Sequence, residues 1–375
     1  MQSELTRLTA EAMQAAAGKI DNLTALVGPD AFVDEIIRVV DRRTSATSYT
    51  AMDTISALGA RISGAAGQST NIELIVDRVK LGGNGPIMAN ALAAFGTGVT
   101  SVGPFGEASV HAAFAEIAAR AKVVSLGDPA HTDALEFGDG KLMLGKLDPL
   151  LNVTWERMVE RLGAAEIKRL FTESSLVALV NWTMVPAMSD IWEKALGVLA
   201  GVGKSGMKGT RFFFDLADPE KHNDESVAAA CRLLARFQEF GPTILGLNEK
   251  EAFRVGVALG YTGPTSGRDA VKGVTAMISK TLPVDTVVVH PRAYAVAAAA
   301  GAITADVDGP FTENPLISTG AGDHFNAGFC LGKLIGLPDD QAATAAVGTS
   351  GYYVRNAASP TFAQLTQFLA DQAKA

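Results

Sequence analysis

From residue 155 onward, short apolar runs alternate with stretches of helical periodicity, and that alternation leaves few folds open. Helical patterns over 155–171, 187–200 and 224–239 precede apolar runs at 176–180, 211–215 and 243–247; two more, over 249–258 and 268–280, precede the run at 285–289. A five-residue apolar run is too short for an ordinary helix and shows no wet face, as expected of a strand covered on both sides. Strands of this kind separated by helices form βαβ units, which predicts an α/β fold around a mainly parallel sheet.

The first third is less regular. Residues 26–28 read as an opening strand, and 72–81 alternate partly, as a strand with one wet face does. Residues 134–144 read as a hairpin, with Gly138, Asp139 and Gly140 supplying the positive φ values of its turn. These elements predict a small β-rich lid built from about 30–50, 70–82 and 132–147, beside a three-layer α/β/α sandwich. The first 24 residues read as an N-terminal helical extension with Ser3 near its cap, and 25–375 as the main domain. In open α/β sheets ligands bind at the carboxyl ends of the strands, where a lid would keep water from the chemistry.

Charge and composition remove several classes. The balance of 32 basic and 40 acidic residues, 32 − 40 = −8, argues against nucleic acid as a partner. Cys231 and Cys330 form neither a disulfide framework nor a Cys-x-x-Cys pair, and the five histidines lack metal-ligand spacing. The opening segment has no basic stretch followed by an apolar core, and apolar stretches such as 295–303 fall short of the ~20 residues of a membrane span. The expectation is a cytoplasmic chain without a membrane partner. Gly201-Val-Gly-Lys-Ser205 lacks the leading glycine of a P-loop, whose place is taken by Val198.

The strongest chemical signal is Ser318-Thr319-Gly320-Ala321-Gly322-Asp323-His324-Phe325-Asn326. Small residues run directly into a helix beginning near Asp323, and exposed N–H groups at a helix start bind anions. The helix dipole favours an ionised Asp323 there, beside the place a phosphate would take, as a base acting on an attacking hydroxyl requires. The same residues also suit a plain turn with Asp323 as helix cap. Asn248 and Glu251 have two readings as well: a capping box, or an amide and a carboxylate offered to a hydrated Mg²⁺. Asn181 and Asp215 end predicted strands at the ligand edge, where they either touch ligand and metal or cap the turns.

The segment 320–323 resembles the GAGD motif of the ribokinase-like (PfkB) carbohydrate kinases, and three further segments fall in that family's order. Gly82-Gly83-Asn84-Gly85-Pro86 is similar to its di-glycine motif, Asn248-Glu249-Lys250-Glu251 to its Asn-x-x-Glu motif, and 27–34 to its opening strand. The resemblance spans roughly 25–360 and implies a Mg²⁺-dependent kinase that moves the terminal phosphoryl group of a nucleotide, ATP or else ADP, to a hydroxyl of a small sugar or sugar-like alcohol. It implies Asp323 as base and the Gly320, Ala321 and Gly322 backbone as anion hole, with Thr319, Asn326 and Asn248 at the nucleotide. Glu251 would act on the metal through water. Asp34 or Asp30, Gly82, Gly83, Asn84 and Asn181 would hold the acceptor. A nucleoside or sugar-phosphate acceptor is an alternative, as is a catalytically weak sugar-binding regulator; self-association into a homodimer stays open. Departures from the family pattern fall at Ile87, Ile317 and His290-Pro291, and Gly28 to Asp34 is one residue longer than usual.

Overall fold

The computed structural model describes residues 2–374. Its strands, in chain order, are β1 (Thr24–Gly28), β2 (Phe32–Arg43), β3 (Tyr49–Ala51), β4 (Leu74–Gly82), β5 (Gly98–Gly103), β6 (Lys122–Ser125), β7 (Ala130–Phe137), β8 (Gly140–Lys146), β9 (Leu176–Val180), β10 (Arg211–Asp215), β11 (Thr243–Leu247), β12 (Thr286–Val289), β13 (Tyr294–Ala299) and β14 (Ala302–Asp308). Nine of them form one sheet in the order β14-β13-β12-β11-β10-β9-β1-β5-β6. It is parallel from β6 to β12, and β13 and β14 add an antiparallel edge.

The apolar runs behave as their composition requires. Successive side chains of a strand point to opposite faces, and here both faces are dry. Val177, Leu179, Phe212, Phe214, Leu245 and Val287 pack on one side, Leu176, Ala178, Phe213, Ile244 and Val288 on the other. Each such side chain, fully buried, contributes ~1.5–3 kcal/mol relative to exposure. Helices including Met188–Val202, Asp224–Ala235 and Arg268–Thr281 cover the first face; Asn84–Ala94, Ala321–Ile335 and Asp339–Asn356 cover the second. The result is the expected α/β/α sandwich.

Several local expectations change. The helix expected over 155–171 is two, Trp155–Leu162 and Ala164–Glu173, because Gly163 takes φ 80° between them. The stretch 224–239 is α-helical only to Ala235 and then tightens into a 3₁₀ turn. The first helix is already under way at Gln2, so Ser3 lies within it, and its Ala10, Met13 and Ala16 are buried in the second face of the core. The apolar stretch 295–303 is a hairpin turning at Ala300 and Gly301, both at positive φ.

The remaining strands form a second sheet around β2, which pairs antiparallel with β4 over Phe32–Val39, parallel with β7 over Phe32–Ile37, and antiparallel with β3 at its far end; β8 follows on β7. Ile37, Val39, Met52, Leu58, Leu135 and Phe137 give it a small core of its own. In the β7–β8 turn only Gly140 has a positive φ (156°); the Asp139 carboxylate instead accepts the Ile55 N–H at 2.8 Å. β2 starts just after β1 ends, so this sheet rises from the carboxyl edge of the large one.

The helix Ala321–Ile335 is set by close backbone approach. A Cβ on Gly328 would lie 2.4 Å from Thr349 Oγ1, and one on Gly332 2.8 Å from Ala342 Cα, so the neighbouring helix Asp339–Asn356 tolerates only glycine at both places. No helix among the described residues is long and apolar enough to cross a membrane.

Candidate active site

The carboxyl ends of β1, β9, β10 and β11 converge where the small sheet meets the start of the helix Ala321–Ile335. Just after β1, the fully buried Asp30 carboxylate accepts three hydrogen bonds. Oδ1 takes the Gly85 N–H at 2.7 Å; Oδ2 takes the Asn84 N–H at 2.9 Å and Asn181 Nδ2 at 2.8 Å. Burial lifts its pKa to about 6 against the pull of those donors. Asp30 and Asn181, both expected at the acceptor, therefore have an internal duty: they hold the turn 82–84 that opens the helix Asn84–Ala94. Gly83 lies at φ 92° in that turn, and a Cβ there would sit 2.8 Å from Asp30 Oδ2.

Asp34 is placed differently. It stands in β2 opposite Lys80 of β4 and Thr132 of β7. Burial raises its pKa, while Lys80, a hydrogen bond from Thr132 and His131 oppose the rise. Its carboxylate crowds Gly82, where a Cβ would meet Oδ1 at 2.3 Å. Unlike Asp30, it keeps acceptor capacity for hydroxyl groups.

The 82–84 turn reaches the expected base directly, since Asn84 Nδ2 donates to Asp323 Oδ1 at 2.9 Å. Gly320, at φ 92°, precedes the helix and offers no capping side chain; Asp323 is the third helical residue and does not cap it. The Ala321 N–H is engaged by the Ser318 carbonyl (3.2 Å) and the His324 N–H by that of Gly320 (3.1 Å). Ala321 therefore drops out of the expected anion hole, whereas the Gly320 and Gly322 N–H groups, and that of Asp323 beyond them, have no backbone acceptor among the described residues. The expectation that the helix dipole keeps Asp323 readily ionised is overturned. Burial, followed by the negative charges of Asp30 and Glu251, pushes its pKa up to about 8, outweighing Asn84 and Lys80.

Asn248 and Glu251 form the capping box in full: Asn248 Oδ1 accepts the Glu251 N–H (2.9 Å) and Glu251 Oε2 the Asn248 N–H (2.8 Å). Glu251 Oε1 also accepts the Asp218 N–H at 3.0 Å. Asp215, at the end of β10, accepts the Ala217 N–H and Asn326 Nδ2, each at 2.8 Å. Asn326, expected at the nucleotide, thus braces Asp215. Burial raises the pKa of both carboxylates, and Glu251 and Asp323 raise that of Asp215 further. No Lys or Arg among the described residues ion-pairs with Asp215, Glu251 or Asp323, and Asn326 Oδ1 is buried without a partner. Uncompensated carboxylates and an orphaned amide oxygen fit a hard divalent cation such as Mg²⁺.

Three cavities adjoin this centre, one of them an open groove along Asn248, Lys250 and Arg292. A second, of about 330 Å³, is lined by Asn248, His290, Arg292, Tyr294, Phe311 and Gly322 among others. His290, where the resemblance leads one to expect glycine, lies under Gly322: a Cβ there would be 3.1 Å from its Cε1. Burial draws its pKa down to about 4, so the ring is neutral. The third cavity, of about 180 Å³, brings together Lys80, Ile87, Ile317, His324 and Tyr353, and so holds the other two departures. The Thr319 side chain lines none of the three; its carbonyl accepts Tyr353 Oη at 2.9 Å. Lys80 stands half-buried on β4 opposite Asp34, and nothing near Lys80 or Tyr353 in the sequence signals their place here. On the opposite face of the small sheet His131 Nε2 lies 3.2 Å from Asp133 and 3.4 Å from Glu35, with Lys146 already bonded to Asp133.

Known proteins resemble this chain along nearly its whole length. A profile of prokaryotic ketohexokinases matches residues 3–372. A ketohexokinase of Haloferax volcanii is 27% identical over 361 residues, covering 93% of this chain and 92% of its own. Arabidopsis thaliana ribokinase complexed with ribose and ATP superposes with a TM-score of 0.62 at 16% identity, covering 92% of this chain and 98% of its own. Adenosine kinase from Sinorhizobium meliloti gives 0.59 at 16%, covering 94% and 99%. Such low identities speak for the fold.

Proposed function

Because the chain belongs to the prokaryotic ketohexokinase family of carbohydrate kinases, we propose that it moves the terminal phosphoryl group of ATP to a hydroxyl of a small neutral ketose. The observation that carries this reading is the Asn84–Asp323 contact, which ties the turn beside Asp34 to a carboxylate flanked by free helix-start N–H groups. Asp34 accepts hydroxyl hydrogen bonds from the acceptor. Asp323 orients the attacking hydroxyl and takes its proton. The Gly322 and Asp323 N–H groups stabilise charge on the phosphoryl oxygens as it develops. Asp215 and Glu251 would hold Mg²⁺ through its water shell; bound there, the ion would offset phosphate charge. The test is nucleotide consumption with Mg²⁺ across ketohexoses, aldohexoses, ribose and adenosine. Turnover on ketohexoses is the expected result. Turnover on adenosine or ribose alone would overturn the acceptor assignment, and none on any hydroxyl compound would overturn phosphoryl transfer.

Two variants probe the parts separately. Asp34→Ala should raise acceptor KM roughly 10- to 100-fold, the worth of hydrogen bonds to a charged group, and leave nucleotide KM where it was. Unchanged acceptor KM would remove this strand from the sugar site. Glu251→Gln should move the Mg²⁺ dependence of the rate to higher concentration. Since both Glu251 oxygens accept backbone N–H groups, the glutamine can satisfy only one, and the melt should fall by an amount equivalent to ~1–3 kcal/mol. A lower melt with an unmoved Mg²⁺ profile would leave Glu251 with the capping role alone.

A further inference from the structure

The helix carrying Asp323 begins at a glycine in the left-handed region, with no side chain capping it. Backbone bonds already engage the Gly320–Ala321 plane but leave the Thr319–Gly320 plane free to turn, and an anion hole works only if its donors are held in place before the reaction. Two side chains supply the hold. Tyr353 Oη donates to the Thr319 carbonyl at 2.9 Å, and His324 Nδ1 lies 2.7 Å from the Gly320 carbonyl. A carbonyl only accepts, so Nδ1 carries the proton and Nε2 receives the Ser359 hydroxyl at 2.9 Å. The rings of His324 and Tyr353 stack 3.6 Å apart at 16°. They come from the two helices locked at Gly328 and Thr349, so the pair sits on rigid elements. Burial draws the His324 pKa down to about 4, which keeps the ring neutral and its tautomer fixed at working pH.

We infer that His324 and Tyr353 are positioning residues, a stacked clamp on the Thr319 and Gly320 carbonyls that fixes the Gly320 N–H and the entry into the helix, and with that entry the direction in which the Gly322 and Asp323 N–H groups face the transferring phosphoryl. Peptide planarity carries the restraint to the Gly320 and Ala321 N–H groups, which share planes with the held carbonyls, and the Gly322 and Asp323 N–H groups follow directly as the next residues of the helix. The inference rests on phosphoryl transfer at Gly322 and Asp323.

Its test uses three variants of the full chain. Tyr353→Phe removes one hydroxyl and keeps the stack. His324→Gln withdraws the donor from Gly320, whereas His324→Asn keeps an N–H where Nδ1 stands. Tyr353→Phe and His324→Gln should each lower kcat roughly 10- to 100-fold, the scale of a misplaced catalytic group, with acceptor KM held, and His324→Asn should recover most of the loss. Amide exchange across 318–326 should quicken in the first two and not in the third. Parent-like kcat and exchange in Tyr353→Phe and His324→Gln, or equal losses in the two His324 variants, would overturn the clamp. If the parent transferred phosphoryl to no acceptor, the reading of the site would fall, while the exchange rates would still decide the clamp.

Discussion

Asp323→Asn should transfer phosphoryl groups ~10²–10⁴-fold more slowly than the parent, the range of a lost general base, and should nevertheless melt at a higher temperature. The amide keeps the shape of the side chain and its contact with Asn84 but takes no proton. It also removes a carboxylate that burial and the nearby charges of Asp30 and Glu251 make costly. The sign follows from linkage. The native pKa of about 8 lies above the ordinary carboxylate value, so the native state binds the proton more tightly. The stability contributed by this group is complete below the unfolded pKa and is lost as pH rises through the native one. In melts without ligand, the advantage of Asp323→Asn should therefore grow between pH 5.5 and 8. In the parent, kcat/KM should climb with pH and level off above about 8, as the free enzyme releases that proton. A variant within a few-fold of parent kcat would show that Asp323 is not the base; a flat melt difference across the pH range would show that its carboxylate carries no such burden.

Asp30→Ala should be among the most damaging single changes. It strands three donors, the Gly85 and Asn84 N–H groups and Asn181 Nδ2. Buried unsatisfied groups cost ~1–3 kcal/mol each, so a loss of roughly 3 kcal/mol or more is expected. Thermal melts should fall by several degrees, and kcat should fall with them as the turn carrying Asn84 loses its anchor. Asp30→Asn should be intermediate, because one amide face must oppose a donor. A parent-like melt for Asp30→Ala would mean that the turn is held by something else.

Sequence reasoning reached the large sheet because its signal is local. Runs such as 176–180 and 243–247 need only their own apolar content to declare a strand buried on both faces, and the structure places them at those bounds. Local signals also located the 320–323 turn and the 248–251 box. What stayed hidden depends on partners distant in the chain. That Asp30 is engaged inside the fold follows in part from Asn181, 151 residues away, and the Asn84–Asp323 contact spans 239 positions. The pKa of Asp323 was misjudged for the same reason. A helix start could be read from spacing, but the burial that dominates it could not. The hairpin in 295–303 escaped because its turn residues, Ala300 and Gly301, sit in an unbroken apolar stretch.

The two sheets divide the labour. The residues read as transferring the phosphoryl group sit on the large sheet and its helices, whereas Asp34 and Lys80 stand on strands of the small one. The 82–84 turn couples the two through the Asn84 and Gly85 N–H groups bound to Asp30 and the Asn84 amide bound to Asp323, links that no side chain of β2 or β4 enters. A lineage could therefore rewrite β2 and β4 to suit a new alcohol and inherit the transfer centre unaltered. Drift in acceptor preference needs no compensating change across the joint, which makes the small sheet the place where paralogues of such an enzyme should differ most.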